Sequence, residues 1–243
     1  MIVFISDLHL EESRPDITGA FLYFMDTIQE KAHTLYILGD FFEAWIGDDE
    51  DTALQLQIKA RLKRYTAQGN HLFFMHGNRD FLIGELFCQQ TGATLLPDPS
   101  IANINGHPVL LMHGDSLCTN DTSYIKFRNT IRNPAFLEPF LKRPIAERKV
   151  TAQQLRAMSQ ANNQEKSSEI MDVTPEEVPL NMEKYHSHTL IHGHTHRPKV
   201  HDLDVAGVPS KRIVLGDWDK EIWFLEIPDI GEPALKTLPF PGQ

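Results

Sequence analysis

The chain opens MIVFISDLHL (residues 1–10), where four apolar residues, Ile2, Val3, Phe4 and Ile5, run straight into Ser6-Asp7-Leu8-His9. A short apolar run with a polar stop reads as a strand buried on both faces, which leaves Asp7 and His9 at its carboxyl end. The same pattern returns as LYIL (35–38) before GDFFE, LFFM (72–75) before HGNRD, VLLM (109–112) before HGDS and TLI (189–191) before HGHTH. Between the first three runs lie helix-like segments at 17–31 and 51–68, the second starting on acidic residues and stopping at Gly69. Strands alternating with helices predict an α/β fold with its sheet covered on both faces. Ligands collect beyond the carboxyl ends of such strands. After Lys199 further strand candidates at 200–205, 212–215 and 221–227, with Gly and Pro at the joints, suggest a second sheet packed on the first. Residues 228–243 read as a loosely attached tail.

The spacing of the polar clusters is uneven. Asp7 to Asp40 is 33 residues, Asp40 to Asn78 is 38 and Asn78 to His113 is 35, but His113 to His194 is 81. The long interval marks an insertion at 120–170 within a single domain spanning 1–243, helical in pattern and cut by Pro134, Pro139 and Pro144. Nine Lys and Arg stand there against five Asp and Glu, a net of +4 in a chain whose total is −10. A basic, partly apolar helical segment on an acidic body suits phosphates, an anionic lipid surface, or both, although a solvated helical face has the same composition. The overall negative charge argues against nonspecific nucleic-acid binding. Cys88 and Cys118 form no framework, no apolar run is long enough to span a bilayer, and the start lacks a basic signal-peptide region; a cytosolic protein is expected.

HGHTH (192–196) carries three imidazoles at alternate positions around Gly193, which breaks the strand into a loop able to aim them at one centre. Taken together, the strand ends supply Asp7, His9, Asp40, Asn78, His113, His194 and His196, seven groups able to ligate metal. Carboxylate, imidazole and amide oxygen without thiolate suit Mn²⁺, Fe²⁺, Mg²⁺ or Zn²⁺. Seven donors exceed what one catalytic ion takes and suit two ions sharing a carboxylate. Any one Asp or His alone is as well explained as a helix cap or a satisfied core side chain. His192, Asp80 and Asp115 are expected to orient neighbouring ligands.

The order DLH, GD, GN, H, GHTH resembles the calcineurin-like metallophosphoesterases, and GNRDF, LGDFFEAWIGDD, LMHGDSLCTND and HGHTHRP resemble the UDP-2,3-diacylglucosamine hydrolases of lipid A biosynthesis. Arg79 stands where the wider superfamily commonly has His. The resemblance implies a sandwich of two mixed β-sheets flanked by helices, with 120–170 as a helical lid. It implies one ion held by Asp7, His9, Asp40 and His196, a second held by Asp40, Asn78, His113 and His194, and manganese as the metal. It implies catalytic roles for Arg79 and His194, and substrate contacts from Asn78, Arg79, Asp121, Ser159, Asn163, Lys166 and His194. The implied reaction is attack of an activated water on the α-phosphorus of UDP-2,3-diacylglucosamine, releasing UMP and 2,3-diacylglucosamine 1-phosphate. An enzyme of this kind rests peripherally on the cytoplasmic face of the inner membrane, and no protein partner is implied.

Three rivals share parts of this pattern. A pyrophosphatase or phosphodiesterase of soluble nucleotides would use the same donors but has no need of a basic, apolar lid. A binding scaffold would not require all seven donor positions to be filled by competent residues. A protein phosphatase would keep the missing His and an open site. Apolar residues of the insertion, among them Phe127, Ile131, Phe136, Leu137 and Phe140, either dock it on the body or line a groove for acyl chains.

Overall fold

A computed structural model of the chain describes residues 1–164 and 172–242. Strand β1 (Ile2–Ile5) is buried at every position, and its pleat sends alternate side chains to two different cores. Val3 and Ile5 pack with helices α1 (Pro15–Ile28) and α2 (Ala53–Thr66), whereas Ile2 and Phe4 face a second sheet. Strands β2 (Thr34–Leu38) and β3 (His71–Met75) divide likewise, with Leu35, Ile37, Leu72 and Phe74 toward the helices and Tyr36, Leu38 and Met75 toward the other sheet. Two buried faces explain why these runs are continuously apolar. Helix α1 presents Ile17, Phe21, Phe24 and Ile28 at helical spacing, and the Phe24 ring meets Trp218 edge-on at 5.2 Å. Helix α2 opens with a capping box in which Thr52 and Gln55 satisfy each other's backbone amides.

The remaining elements are α3 (Glu85–Thr91), β4 (Thr94–Leu96), β5 (Ser100–Ile104), β6 (His107–Met112), α4 (Thr122–Ile131), α5 (Pro134–Leu141), α6 (Ile145–Gln164), α7 (Glu177–Lys184), β7 (Thr189–His192), β8 (Lys199–Val205), β9 (Val208–Val214), β10 (Glu221–Ile227) and β11 (Ala234–Pro239). They build a six-stranded sheet in the order β11-β10-β1-β2-β3-β4 and a five-stranded sheet in the order β5-β6-β7-β9-β8. Both are mixed: β1 to β4 run parallel, β10 lies antiparallel to β1 and β11 antiparallel to β10, and β6, β7 and β9 run parallel between antiparallel edges. Phe4, Tyr36 and Met75 meet Leu111, Ile191 and Ile213 between the sheets, and α7 covers the outer face of the second through Val178 and Met182.

Two expectations are corrected. The second sheet begins at Ser100 rather than after Lys199, so two of the five motif-bearing runs, β6 and β7, lie in it, while β10 returns to pair with β1. An apolar run reports burial on both faces but not which sheet buries it. The segment 228–243 is no loose tail: β11 pairs with β10 over six positions and Phe240 is buried in the helix-side core. Its sequence, ALKTLP, is that of an edge strand, where lysine and a terminal proline are tolerated and the apolar signal is weak.

Between β6 and β7 the chain forms α4, α5 and α6. Pro134 occupies the first turn of α5 and Pro144 precedes α6, so two of the three prolines separate helices as expected; Pro139 lies inside α5. Much of the segment's positive charge docks it. Arg148, itself 1% exposed, donates to the Ile46 carbonyl at 2.6 Å and pairs with Asp49, Lys149 pairs with Glu50 at 2.6 Å, and Arg128 donates to Asp115 at 2.7 Å.

Candidate metal centre

The loops leaving β1, β2, β3, β6 and β7 meet at one end of the two sheets. Ligand atoms of Asp7, His9 and His196 lie within 4.8 Å of one another, as do those of Asp40, His113 and His194. Asp40 stands between the sets, with Oδ2 at 3.8 Å from His9 Nε2 and Oδ1 at 3.7 Å from His113 Nε2. Asn78 Oδ1 is 3.1 Å from His113 Nε2, and the His9 and His196 Nε2 atoms face each other at 3.4 Å. All seven expected donors are thus brought together, Asp7, His9 and His196 in one cluster and Asp40, His113 and His194 in the other, with Asn78 beside His113.

Backbone conformation is part of the construction. Of the eight non-glycine residues with positive φ among the described residues, five are donors: Asp7, His9, Asp40, His194 and His196. Left-handed conformations of this kind cost of order 1–3 kcal/mol each and persist only where the surroundings impose them. Those surroundings include close loop approaches. A Cβ on Gly193 would strike the Asp7 carboxylate and the Ser6 hydroxyl, and one on Gly77 would strike the backbone and side chain of Asp40. Gly193 is therefore needed for approach, since its φ is not positive.

Partners behind the donors set their tautomers. His113 Nδ1 donates to the Leu38 carbonyl at 2.9 Å and His9 Nδ1 to Glu43 at 2.7 Å, which leaves both Nε2 lone pairs aimed inward. Lone pairs of imidazole, carboxylate and amide oxygen converge here without thiolate, and this donor set fits divalent metal ions. Without an ion, burial alone would lower the His113 pKa, but Asp40, Asp115 and Asp7 raise it to about 9. His196 is likewise raised to about 9, burial being outweighed by its bond to Asp7. Burial and the neighbouring His113 push His194 down to about 4. Burial pushes the Asp7 carboxyl up, yet the bond and charge of His196 hold it well below the ordinary range.

Of the residues expected to orient ligands, His192 does so through backbone: it accepts from Arg212 Nε at 2.8 Å and donates Nδ1–H to the Gly193 carbonyl at 2.8 Å, bracing the loop of His194. Asp80 meets no imidazole among the described residues. It accepts from the backbone amides of Phe41 and Gly77, both at 2.8 Å, and so ties the β2 loop to the β3 loop. Asp115 holds the insertion instead, accepting from Tyr124 at 2.6 Å and from Arg128.

The sequence profile of the calcineurin-like phosphoesterases matches residues 1–198. A UDP-2,3-diacylglucosamine hydrolase of Marinobacter nauticus is 55% identical over 98% of this chain and 97% of its own. Proteins of the same name from Pseudomonas paraeruginosa and Ectopseudomonas mendocina are 54% and 56% identical, covering 99% and 93% of this chain and 99% and 94% of theirs. The chain belongs to this family, the UDP-2,3-diacylglucosamine hydrolases among the calcineurin-like phosphoesterases.

In this family member a cavity of about 610 Å³ adjoins the donors, with Asn78 and Arg79 in its wall. Phe42 and Trp45 of the body and Phe127, Ile131, Phe140 and Leu155 of the insertion line it, together with the cations Arg128, Arg132, Lys149 and Arg156. All five apolar residues named as groove candidates, Phe127, Ile131, Phe136, Leu137 and Phe140, line the cavity, whereas Leu141 and Met158 of the same segment are exposed. Arg79 Nε is buried without a partner among the described residues. Asp121 caps α4, accepting from the Tyr124 amide at 3.0 Å and the Ser123 hydroxyl at 2.8 Å. Ser159 and Asn163 fall on the backbone of α6, their side chains outside the described residues, and Lys166 lies outside them altogether. Glu43 and Arg156 were not singled out by sequence; Glu43 was visible only as the last letter of GDFFE.

Proposed function

We propose that the chain hydrolyses the pyrophosphate of UDP-2,3-diacylglucosamine to UMP and 2,3-diacylglucosamine 1-phosphate, by attack of water on the α-phosphorus. The observation that carries this is the junction of two donor sets, with Asp40 between them, and a cavity walled by both apolar side chains and cations. Asp7, His9, Asp40 and His196 would hold one divalent ion and Asp40, Asn78, His113 and His194 the other, with Mn²⁺ as the metal. Such ions, when bound, supply Lewis-acid stabilisation of phosphate charge and lower the pKa of a water. Arg79, whose buried Nε has no partner among the described residues, offers a guanidinium that cannot donate a proton at neutral pH but can hold phosphate oxygens through paired hydrogen bonds. His194, kept neutral by burial, serves as a ligand and binding group rather than a proton donor.

Residues 120–170 act as a lid in a single domain, with Asp121, Ser159, Asn163 and Lys166 as further substrate contacts and the cavity as the seat of the acyl chains. At about 0.8 kcal/mol per buried methylene, those chains supply much of the affinity. The apolar lining favours an acylated substrate over a soluble nucleotide. No helix among the described residues is long and apolar enough to cross a membrane. A cytoplasmic protein resting on the inner membrane's inner face is supported by Leu141, Val150 and Met158, which stand exposed on the insertion. The decisive experiment strips the protein of metal, supplies UDP-2,3-diacylglucosamine and restores Mn²⁺. UMP should appear only after the metal is added; its absence would overturn the proposal. Co-sedimentation with anionic but not zwitterionic vesicles tests the membrane contact.

A further inference from the structure

Glu43 lies three residues after Asp40 in the loop leaving β2 and is 8% exposed. Its two carboxylate oxygens have different work. Oε2 stands 2.7 Å from His9 Nδ1, and Oε1 pairs with Arg156 of α6, whose guanidinium also donates to the Glu43 carbonyl at 3.3 Å. A carboxylate only accepts, so the His9 ring must present Nδ1–H to it and keep the Nε2 lone pair toward His196 and Asp40. The tautomer rests on this contact. On the other side, α6 is fastened near its start by Arg148 to Asp49 and Lys149 to Glu50, both in the segment between β2 and α2; Arg156 makes the same kind of attachment about two turns further along. One carboxylate therefore joins a metal-donor imidazole to a helix more than a hundred residues away in sequence.

We propose that Glu43 is a positioning residue with two functions: it holds His9 in the tautomer that offers Nε2 to metal, and it seats α6 through Arg156. The proposal rests on His9 being a metal ligand, as put forward above. An ordinary surface ion pair would affect only the helix, whereas this arrangement ties metal affinity to the same side chain.

The test uses the full chain and two readouts, Mn²⁺ affinity by chelator competition and amide hydrogen exchange over residues 145–158. Glu43→Ala should weaken one of the two Mn²⁺ ions about 10- to 100-fold, the usual effect of losing such a partner. Glu43→Gln keeps the shape and an acceptor oxygen, so it should weaken metal less than Ala does while losing the pairing with Arg156. Exchange in α6 should speed up by the same factor in Glu43→Gln, in Arg156→Met and in the double variant, because two changes to one interaction do not add. Arg156→Met should leave metal affinity within about threefold, the His9 bond being intact. Unchanged exchange in β2 and β3 establishes that each variant is folded, and if Glu43→Ala fails this check Glu43→Gln decides. Wild-type metal affinity in Glu43→Ala, or unaltered α6 exchange in Glu43→Gln, overturns the proposal. His9→Ala separates the two layers: if it loses an ion and Glu43→Ala does not, only the positioning role falls; if it binds both ions like the wild type, the ligand assignment falls and this proposal with it.

Discussion

Loading the metal-free protein with Mn²⁺ at pH 7.5 should release between about one and two protons per chain from its imidazoles, over and above any proton lost by a metal-bound water. The magnitude follows from two imidazoles. In the absence of metal His113 is fully enclosed and held at about 9 by Asp40, Asp115 and Asp7, so at pH 7.5 it is almost wholly protonated and must give up about one proton to bind an ion. His196 is also raised to about 9, but its side chain is 39% exposed, and solvent screening makes its share smaller. His194, near 4, and His9, which burial lowers, are already neutral and contribute nothing. If His113 and His196 titrated at the ordinary value near 6.5, the two together would release only about 0.2 proton.

The cost of removing the His113 proton at pH 7.5 is about 2 kcal/mol, so metal affinity should rise about tenfold per released proton for each pH unit until about pH 9 and then level off. Linkage gives a second sign to check. A folded-state pKa raised above the unfolded one stabilises the metal-free protein fully below about pH 6.5, and that stabilisation is lost as pH climbs through 9. The metal-free form should therefore lose Tm between pH 7 and 9 while the Mn²⁺-loaded form does not. Calorimetric titration in two buffers of different ionisation enthalpy measures the protons directly. Release below about 0.5 proton, or equal affinity at pH 7.5 and 8.5, would refute the charge assignment at His113.

Three further outcomes are expected. Arg79→Ala should lower kcat/KM by about 10²- to 10³-fold while both metal ions bind as before, since a transition-state donor is removed and no ligand is; full kcat/KM on the diacyl substrate would remove Arg79 from the chemistry. Shortening each acyl chain should raise KM about fourfold per methylene lost from the cavity, from the roughly 0.8 kcal/mol that each contributes, and a flat KM series would place the chains elsewhere. Gly193→Ala should cost more than about tenfold in metal affinity or 1–3 kcal/mol in stability, because the new methyl drives the His194 loop away from Asp7; wild-type Tm and Mn²⁺ binding together would show that the two loops are not as close as described.

The convergence of the seven candidate donors was legible because each follows closely on an apolar run, and a strand buried on both faces can be read from its own residues. Their neighbours were not. Glu43, Asp49 and Asp115 owe their roles to Arg156, Arg148 and Arg128, partners separated from them by 113, 99 and 13 residues, and no periodicity records such a pairing. Asp80 illustrates the same limit from another side, since a carboxylate beside metal-donor loops looks like an imidazole partner until the amides of Phe41 and Gly77 are seen to claim it. HGHTH was legible in part: Gly193 reads as the break of the strand, and β7 does end at His192, but no local rule told that His192 would turn inward to Arg212 or that both remaining imidazoles would sit at positive φ. Five strained donors would cost the loops of order 5 kcal/mol or more if nothing opposed it. What opposes it is the framework of two sheets whose ends fix the loops in contact: the Asp7 carboxylate accepts from the His194 amide at 2.9 Å, and Asp40 from the Arg79 amide at 2.8 Å. The donors thus brace one another through backbone, so that truncating one carboxylate should disturb loops that carry other donors as well as the ion it would hold.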